Sequence, residues 1–312
     1  MSLRGYGFFI ALALCGCRNA SLPAIAVIPR TAGIALWEPV HGGAERASVN
    51  TGLKVYWNAP TREDDVQAQI ALVERVIDRK YAGLVLAPDH SLALISPVLR
   101  ALSMGTPTAV IGSPLPIPAG GKLTYIINDE EEAAEIATSR IAQLLAGRGT
   151  VAILGIDPDI AGIMTRTRKL EEGLAGYPGI KIVEKRLGTF NVQRDQQAAE
   201  ETLRANPRLD VIVGLTSAAT RGGCFAASRM GAKVKVVGFD DPDAFPLLKG
   251  TTLDSLIVQN SREIGFQAVK TVVAQLRGEA VPAEVKLKPI LVTKVNSESP
   301  EVRQIFSMDW RP

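Results

Sequence analysis

Two apolar runs in this chain stop abruptly at a polar residue. Val236-Val237-Gly238-Phe239 ends at Asp240, and Leu256-Ile257-Val258 ends at Gln259. A continuous apolar run of strand length suits a strand buried on both faces of a parallel sheet. A carboxylate or amide just past such a strand falls at the carboxyl edge of the sheet, where open α/β sheets bind ligands. Asp240 and Gln259 are therefore candidate polar anchors of a pocket; a helix N-cap is the plainer alternative for Asp240. Nothing assembles a nucleophile with a base. There are two histidines, His41 and His90, and no pair at metal-ligand spacing. Phosphate-loop, Gly-x-Gly-x-x-Gly and Gly-x-Ser-x-Gly patterns are missing. Gly147-Arg148-Gly149 precedes a strand rather than following one and reads as a turn. Binding without cofactor or metal, rather than an enzyme, is the expected chemistry.

The elements that must position these residues alternate along the chain. Strands are expected at Ile25–Ile28, Leu53–Trp57, Gly83–Ala87 and Thr108–Ile111. Helices lie between them at Trp37–Ser48, Glu63–Arg79 and Leu92–Met104. A Pro- and Gly-rich stretch, Gly112–Gly121, reads as a loop. The pattern restarts with strands at Leu123–Ile127, Val151–Leu154, Ile180–Lys185, Val211–Gly214, Val234–Phe239 and Ser255–Val258. Their helices are Asp129–Leu145, Ile163–Leu174, Gln193–Ala205, Arg221–Met230 and Pro242–Leu248. The helix Ser261–Leu276 leads to strands at Val285–Leu287 and Ile290–Val295. The acidic run Asp129-Glu130-Glu131-Glu132 is explained by the helix macrodipole alone. Such alternation implies βαβ units and parallel sheets. Two consecutive α/β halves, divided near residues 112–127, fit better than a TIM barrel, which would need eight even repeats.

The chain has 312 residues, 46% of them hydrophobic, with a net charge of +3. It is long enough for two domains and lacks the basic footprint of a nucleic-acid binder. Arg4, the apolar run Tyr6–Leu14 and Cys15-Gly16-Cys17 have the layout of a secretory signal too short to span a membrane. Leu14-Cys15-Gly16-Cys17 resembles the bacterial lipobox, in which the last Cys is acylated; the alternative is a plain signal peptide. Removal of residues 1–16 would leave no disulfide framework, and Cys224 is expected in the core. Asn296–Pro312 is polar with scattered Ile305, Phe306 and Trp310 and is expected to be a surface-packed tail.

The layout resembles type I periplasmic binding proteins, the ribose- and galactose-binding group. The resemblance rests on the order and spacing of Ile25–Ile28 with Trp37 and His41-Gly42-Gly43-Ala44, Ala82–Pro88, Asn128-Asp129, Arg166-Thr167-Arg168, Gly188-Thr189-Phe190, Val237–Asp240 and Val258-Gln259. It implies two Rossmann-like lobes with parallel sheets, joined by a three-crossover hinge near Ile126–Asn128, Val258–Gln259 and Lys288–Leu291. Residues 17–127 with 260–289 would form one lobe, and 128–259 with 290–312 the other. A sugar, sugar acid or polyol would lie in the cleft, and closure would be a hinge motion. Trp37 and Phe190 match family aromatics that stack on a sugar, with core packing as the alternative for each. Arg166 matches an arginine whose planar fork can pair with two ligand oxygens; the alternative is a solvated cluster with Arg168 and Lys169. Asn128, Asp240 and Gln259 match hydrogen-bonding positions.

The departures bear on the ligand. Thr216-Ser217 stands where the family often has Asn-Asp, Gly112-Ser113 replaces an Asp with Arg or Ser, and Ala87 and Ile34 each replace an Asn. Arg30 stands where a small hydroxyl residue or Lys is common. Arg30 and Arg166 together favour a ligand with some negative charge, such as a sugar acid. Two roles follow for an exported monomer anchored through Cys17: delivering solute to an ABC permease, or presenting a ligand-bound state to a histidine kinase or chemoreceptor. A DNA-binding regulator of the same fold would need a helix-turn-helix before the first strand, for which the sequence leaves no room.

Overall fold

The computed structural model describes residues 22–32, 35–240 and 242–305. The expected signal segment, Cys17, Ile34 and the last seven residues lie outside them. The first half builds β1 (Leu22–Ile28), α1 (Glu38–Ser48) after a 3-10 turn at Ala35–Trp37, β2 (Lys54–Trp57), α2 (Val66–Asp78), β3 (Tyr81–Leu86), α3 (Ile95–Ser103), β4 (Thr108–Gly112) and β5 (Leu123–Asn128). The second half builds α4 (Glu130–Leu144), β6 (Arg148–Ile156), α5 (Ala161–Ala175), β7 (Gly179–Leu187), α6 (Val192–Ala205), β8 (Val211–Gly214), α7 (Ser217–Met230), β9 (Lys235–Phe239) and β10 (Leu253–Val258). Helix α8 (Ser261–Leu276), β11 (Glu284–Leu287), β12 (Ile290–Thr293) and α9 (Pro300–Ile305) complete the described residues.

The strands form two six-stranded sheets, ordered β11-β5-β4-β3-β1-β2 and β12-β10-β9-β8-β6-β7. Strands β3 and β4 are buried along their whole length, as their unbroken apolar runs require. Strand β1 feeds both faces of the first sheet. Ala26 and Ile28 pack toward α2 and α3, whereas Ile25 and Val27 pack toward α1 and α8. The second sheet is covered in the same way by two further apolar layers.

The chain passes between the sheets three times, after β5, after β10 and between β11 and β12. This geometry corrects one expectation: β12 runs antiparallel to β10. Strand β10 leaves the second sheet toward the hinge, and β12 enters that sheet from the hinge, so the two must oppose each other. Asparagine and aspartate cap the helices that start at two crossings. Asp129 Oδ1 accepts from the Glu132 N–H, and Asn260 Oδ1 from the Glu263 N–H, both at 3.1 Å.

Other elements depart from expectation in detail. Helix α2 starts at Val66, because Asp65 caps it, leaving Glu63 in the preceding loop. Pro242–Lys249 is a 3-10 helix; Pro246 inside it cannot donate to an α-helical ladder. Strand β12 stops at Thr293, where the Asn296 side chain bonds back to Thr293 N–H and Leu291 O. The described part of the tail is α9, which buries Val302 and Ile305 in the second lobe's core. Cys224 is buried on α7, as expected. Helices α1 and α8 cross closely: a methyl on Gly43 would overlap the Arg262 carbonyl, and one on Gly265 the Val40 carbonyl. That crossing sets the start of α1, and with it Trp37, against the start of α8.

Candidate functional site

The carboxyl ends of β1, β4, β5, β7, β8, β9 and β10 deliver residues to one interlobe cavity. The cavity is lined by all eight residues expected at the site: Arg30, Trp37, Asn128, Arg166, Phe190, Thr216, Asp240 and Gln259. Arg30 follows β1, and Trp37 precedes α1. Asn128 ends β5, and Gln259 follows β10, so both sit on crossings. Phe190, Thr216 and Asp240 follow β7, β8 and β9, while Arg166 projects from α5.

Arg166 is the centre of the second-lobe wall. Its Nε and Nη2 donate to the two Glu130 oxygens at 2.7 and 3.0 Å. Nη2 also donates to Asp240 Oδ2 at 2.9 Å, and Nη1 to the Leu215 carbonyl at 2.8 Å. The guanidinium lies over the Phe239 ring, 4.2 Å from its centroid. Four of its five N–H donors thus have protein acceptors, leaving one for a ligand rather than the fork of two that was expected. Burial works against the Arg166 charge, but Glu130 and Asp240 outweigh it and raise its pKa. Burial pushes the Glu130 carboxyl up, while Arg166 pulls it back. Glu130 was read from sequence as a macrodipole partner only; it is instead a buried member of the site.

Asp240 is not a helix N-cap. Its Oδ1 accepts from the Gln259 N–H at 2.9 Å, and its backbone carbonyl accepts from Ser217 Oγ. Asp240 and Phe190 both hold left-handed backbone, with φ of 45° and 49°. Non-glycine residues reach that region at a cost, so packing and hydrogen bonds must hold them there. Thr216 caps α7 through the Ala219 N–H.

Several polar atoms on the cavity wall are buried without a hydrogen-bond partner. They are both amide atoms of Gln259, the Asn128 Oδ1 and the Trp37 Nε1. Gln259 is only 4% exposed. Trp37 reconciles its two readings: the ring packs with Ile25, Val27 and Ile111 in the core and also lines the cavity. The Arg30 guanidinium sits over it, 5.4 Å from the centroid. Phe190 packs at the edge of the second-lobe core and lines the same cavity.

Sequence reasoning missed the first lobe's acidic residues. Glu63 lines the cavity, and its carboxyl is pushed up to about 7, chiefly by burial, against the pull of Arg30. Asp89 is buried after β3 and reaches about 6 for the same reasons. Burial also raises Asp157, after β6. Buried Gln69 fixes this corner: it donates to the Pro29 and Ala87 carbonyls and accepts from the Asp89 N–H. Both arginines therefore have carboxyl groups near them, which the sequence expectation of an acidic ligand did not count. Among the described residues no group of His, Cys, Asp and Glu could hold a metal ion.

The lobes also meet directly. Ile160 precedes α5 and offers no side-chain cap. The Ala161 and Gly162 N–H groups instead donate to Ser91 Oγ and Ser113 Oγ, both of the first lobe, at 3.1 and 3.2 Å. Ser91 Oγ donates in turn to the Asp159 carbonyl at 2.9 Å, and His90 Nε2 lies 3.6 Å from Asp159 Oδ1.

Two α/β lobes of mostly parallel strands, three crossings and a cavity lined from both lobes are the architecture of a two-lobed solute-binding protein. The chain belongs to the periplasmic binding protein family, whose model, "Periplasmic binding protein domain", matches residues 25–280. It is 26% identical over 269 residues to the D-allose-binding periplasmic protein of Escherichia coli K12, spanning 83% of this chain and 86% of that one. Its fold is that of a solute-binding protein from Agrobacterium vitis bound to α-D-tagatopyranose, with TM-score 0.85, 23% identity and coverage of 90% and 98%. A carbohydrate-transporter binding protein from Agrobacterium radiobacter in complex with D-arabinose gives TM-score 0.83 at 26% identity, covering 91% and 98%. These relatives are binding proteins, in line with the expectation of binding rather than catalysis. Among the described residues no helix is long and apolar enough to cross a membrane.

Proposed function

We propose that this chain is an exported receptor that captures a sugar or polyol between its lobes and delivers it to an ABC permease. The observation that carries this reading is Gln259: a buried amide on the cavity wall, with neither its oxygen nor its nitrogen partnered. A ligand hydroxyl can both donate to that oxygen and accept from that nitrogen, which removes a desolvation cost of about 1–3 kcal/mol per group. Trp37 and Phe190 supply apolar wall for the C–H faces of a ring. The names of the relatives, allose- and arabinose-binding among them, support the same ligand class and favour transport over sensing.

In this reading residues 17–127 with 260–289 move as one lobe, and 128–259 with 290–312 as the other. The protein is a monomer, carried on the membrane by acylated Cys17 after loss of residues 1–16. Thermal-shift titration of the chain against D-allose, D-ribose, D-arabinose and simple polyols tests the capture step. A true ligand at about a hundred times its dissociation constant adds about 2.7 kcal/mol of stability. The reading fails if no such compound shifts the melt, or if Trp37→Ala and Gln259→Ala leave the shift unchanged. Mass spectrometry of the N-terminal peptide tests the acylated cysteine.

A further inference from the structure

We propose that the cleft is built for a polyhydroxylated ring bearing a protonated amino group, an amino sugar or aminocyclitol, with the Glu63 carboxylate as its counter-ion. This deepens the reading of the cleft as a sugar-type site and rests on it.

The argument begins with charge. The cavity wall carries two guanidinium groups, Arg30 and Arg166, and three carboxylates, Glu63, Glu130 and Asp240. Arg166 is spent on Glu130 and Asp240, with contacts of 2.7 to 3.0 Å, so the second-lobe wall already holds one cation against two anions. The first-lobe wall holds Arg30 against Glu63, with Asp89 and Asp157 also within range of its charge. Neither wall has positive charge to spare. A ligand carboxylate would find the Arg166 guanidinium already answered by Glu130 and Asp240, whereas a ligand ammonium would find in Glu63 a carboxyl on the cavity wall that can ionise to meet it.

Glu63 is the carboxylate placed to meet it. Glu130 and Asp240 have their oxygens committed to Arg166 and to the Gln259 N–H. Glu63 makes no hydrogen bond with Arg30, although each feels the other's charge. A carboxylate can take the N–H donors of an ammonium, which has three and no acceptor. Independently of the acidic residues, the cavity has polar groups without partners: Gln259, 4% exposed, has both amide atoms unpartnered, and the Asn128 Oδ1, which lines the same cavity, is unpartnered too. These amides suit the ring hydroxyls, so hydroxyl and ammonium recognition fall to different parts of one cavity. The carboxyl of Glu63 resists ionisation without a ligand, with burial as the main cause and Asp89, Asp157 and Asp64 adding to it. A bound cation supplies the charge that ionises it.

The test is calorimetry on the full chain with matched sets: glucose, glucosamine and glucuronate; galactose, galactosamine and galacturonate; myo-inositol and scyllo-inosamine. In the set that fits, the amine should bind at least about tenfold more tightly than the neutral member, and the acid more weakly than either. In Glu63→Gln the amine-to-neutral ratio should fall below about threefold. A neutral member that equals or beats its amine in every set would overturn the amine assignment and leave the sugar-capture reading standing. An amine preference that survives intact in folded Glu63→Gln would overturn the role of Glu63. Binding by no member of any set, and by none of the neutral sugars and polyols, would overturn both readings. The wild-type ratio needs no variant, so a misfolded Glu63→Gln chain does not shelter the proposal.

Discussion

The Ser91 hydroxyl of the first lobe accepts a hydrogen bond at 3.1 Å from the backbone N–H of Ala161, in the first turn of a second-lobe helix. With Ser113 on Gly162, the first lobe supplies the caps that α5 lacks within its own lobe. In the proposed hinge motion, opening the cleft would break both bonds. N-capping bonds of this kind contribute roughly 0.5–2 kcal/mol. The double variant Ser91→Ala, Ser113→Ala should weaken ligand binding by about tenfold while the isolated lobes keep their stability. Calorimetry and small-angle scattering of the ligand-bound chain would show it; unchanged affinity would remove the serines from the closed state.

Gly162 tests the same contact sterically. A methyl there would overlap Ser113 Oγ, on the opposite lobe. Gly162→Ala should leave the melting temperature without ligand unchanged or slightly raised, since alanine is the better helix former. Ligand affinity should fall by about tenfold or more, because about 1–3 kcal/mol of overpacking is felt only on closure.

Glu130 and Arg166 form a buried pair, 2.7 Å apart at the shortest contact. Glu130→Ala leaves the guanidinium with Asp240 as its remaining carboxylate. Breaking a buried pair from one side costs about 3–5 kcal/mol, and the surviving partner should reduce this to about 2–3. Urea denaturation reads the loss. A cost near zero would mean that the pair is solvated.

Gln259→Ala should behave in the opposite way. Its side-chain amide has no partner to lose, so stability without ligand should hold or rise. Affinity should drop by at least tenfold, about 1.4 kcal/mol, as ligand hydroxyls lose their acceptor and donor.

The Glu63 carboxyl sits at about 7 in the folded chain, above its ordinary value of 4.5. The folded state therefore holds a proton that the unfolded chain releases. The stability this confers is fully present below about pH 4.5 and is lost as pH rises through about 7. Asp89, at about 6, acts in the same direction. Without ligand, stability attributable to Glu63 should decline across that window by an amount on the order of 1 kcal/mol, since the side chain is partly exposed. Glu63→Gln should flatten that decline in a pH series of denaturant melts.

The strand-end rule found Asp240 and Gln259, and both line the cavity. Arg30, Phe190 and Thr216 came from the comparison with the family pattern, and they line it as well. Glu130 escaped because a local explanation was already sufficient: a carboxylate at a helix N-terminus needs no distant partner, and Arg166 lies 36 residues away in sequence. Glu63 escaped through a boundary error. Reading the helix from residue 63 placed it on a helical turn, whereas Asp65 as N-cap marks the loop that turns it into the cavity. The antiparallel course of β12 is a property of how the chain threads the hinge, which no local pattern encodes. The same holds for the serines that cap α5, because capping in sequence is sought within the three residues before a helix.

If the lobes close on a ligand as proposed, the two crossings that carry Asn128 and Gln259 have a kinetic consequence. Groups near a hinge axis would be displaced least by the swing, so these amides would present nearly the same face in the open and closed forms. A ligand arriving at the open protein would meet them before Trp37 and Phe190 came together around it. Capture would then be sequential: the encounter rate would be set at the hinge, and residence time by the walls that close afterwards.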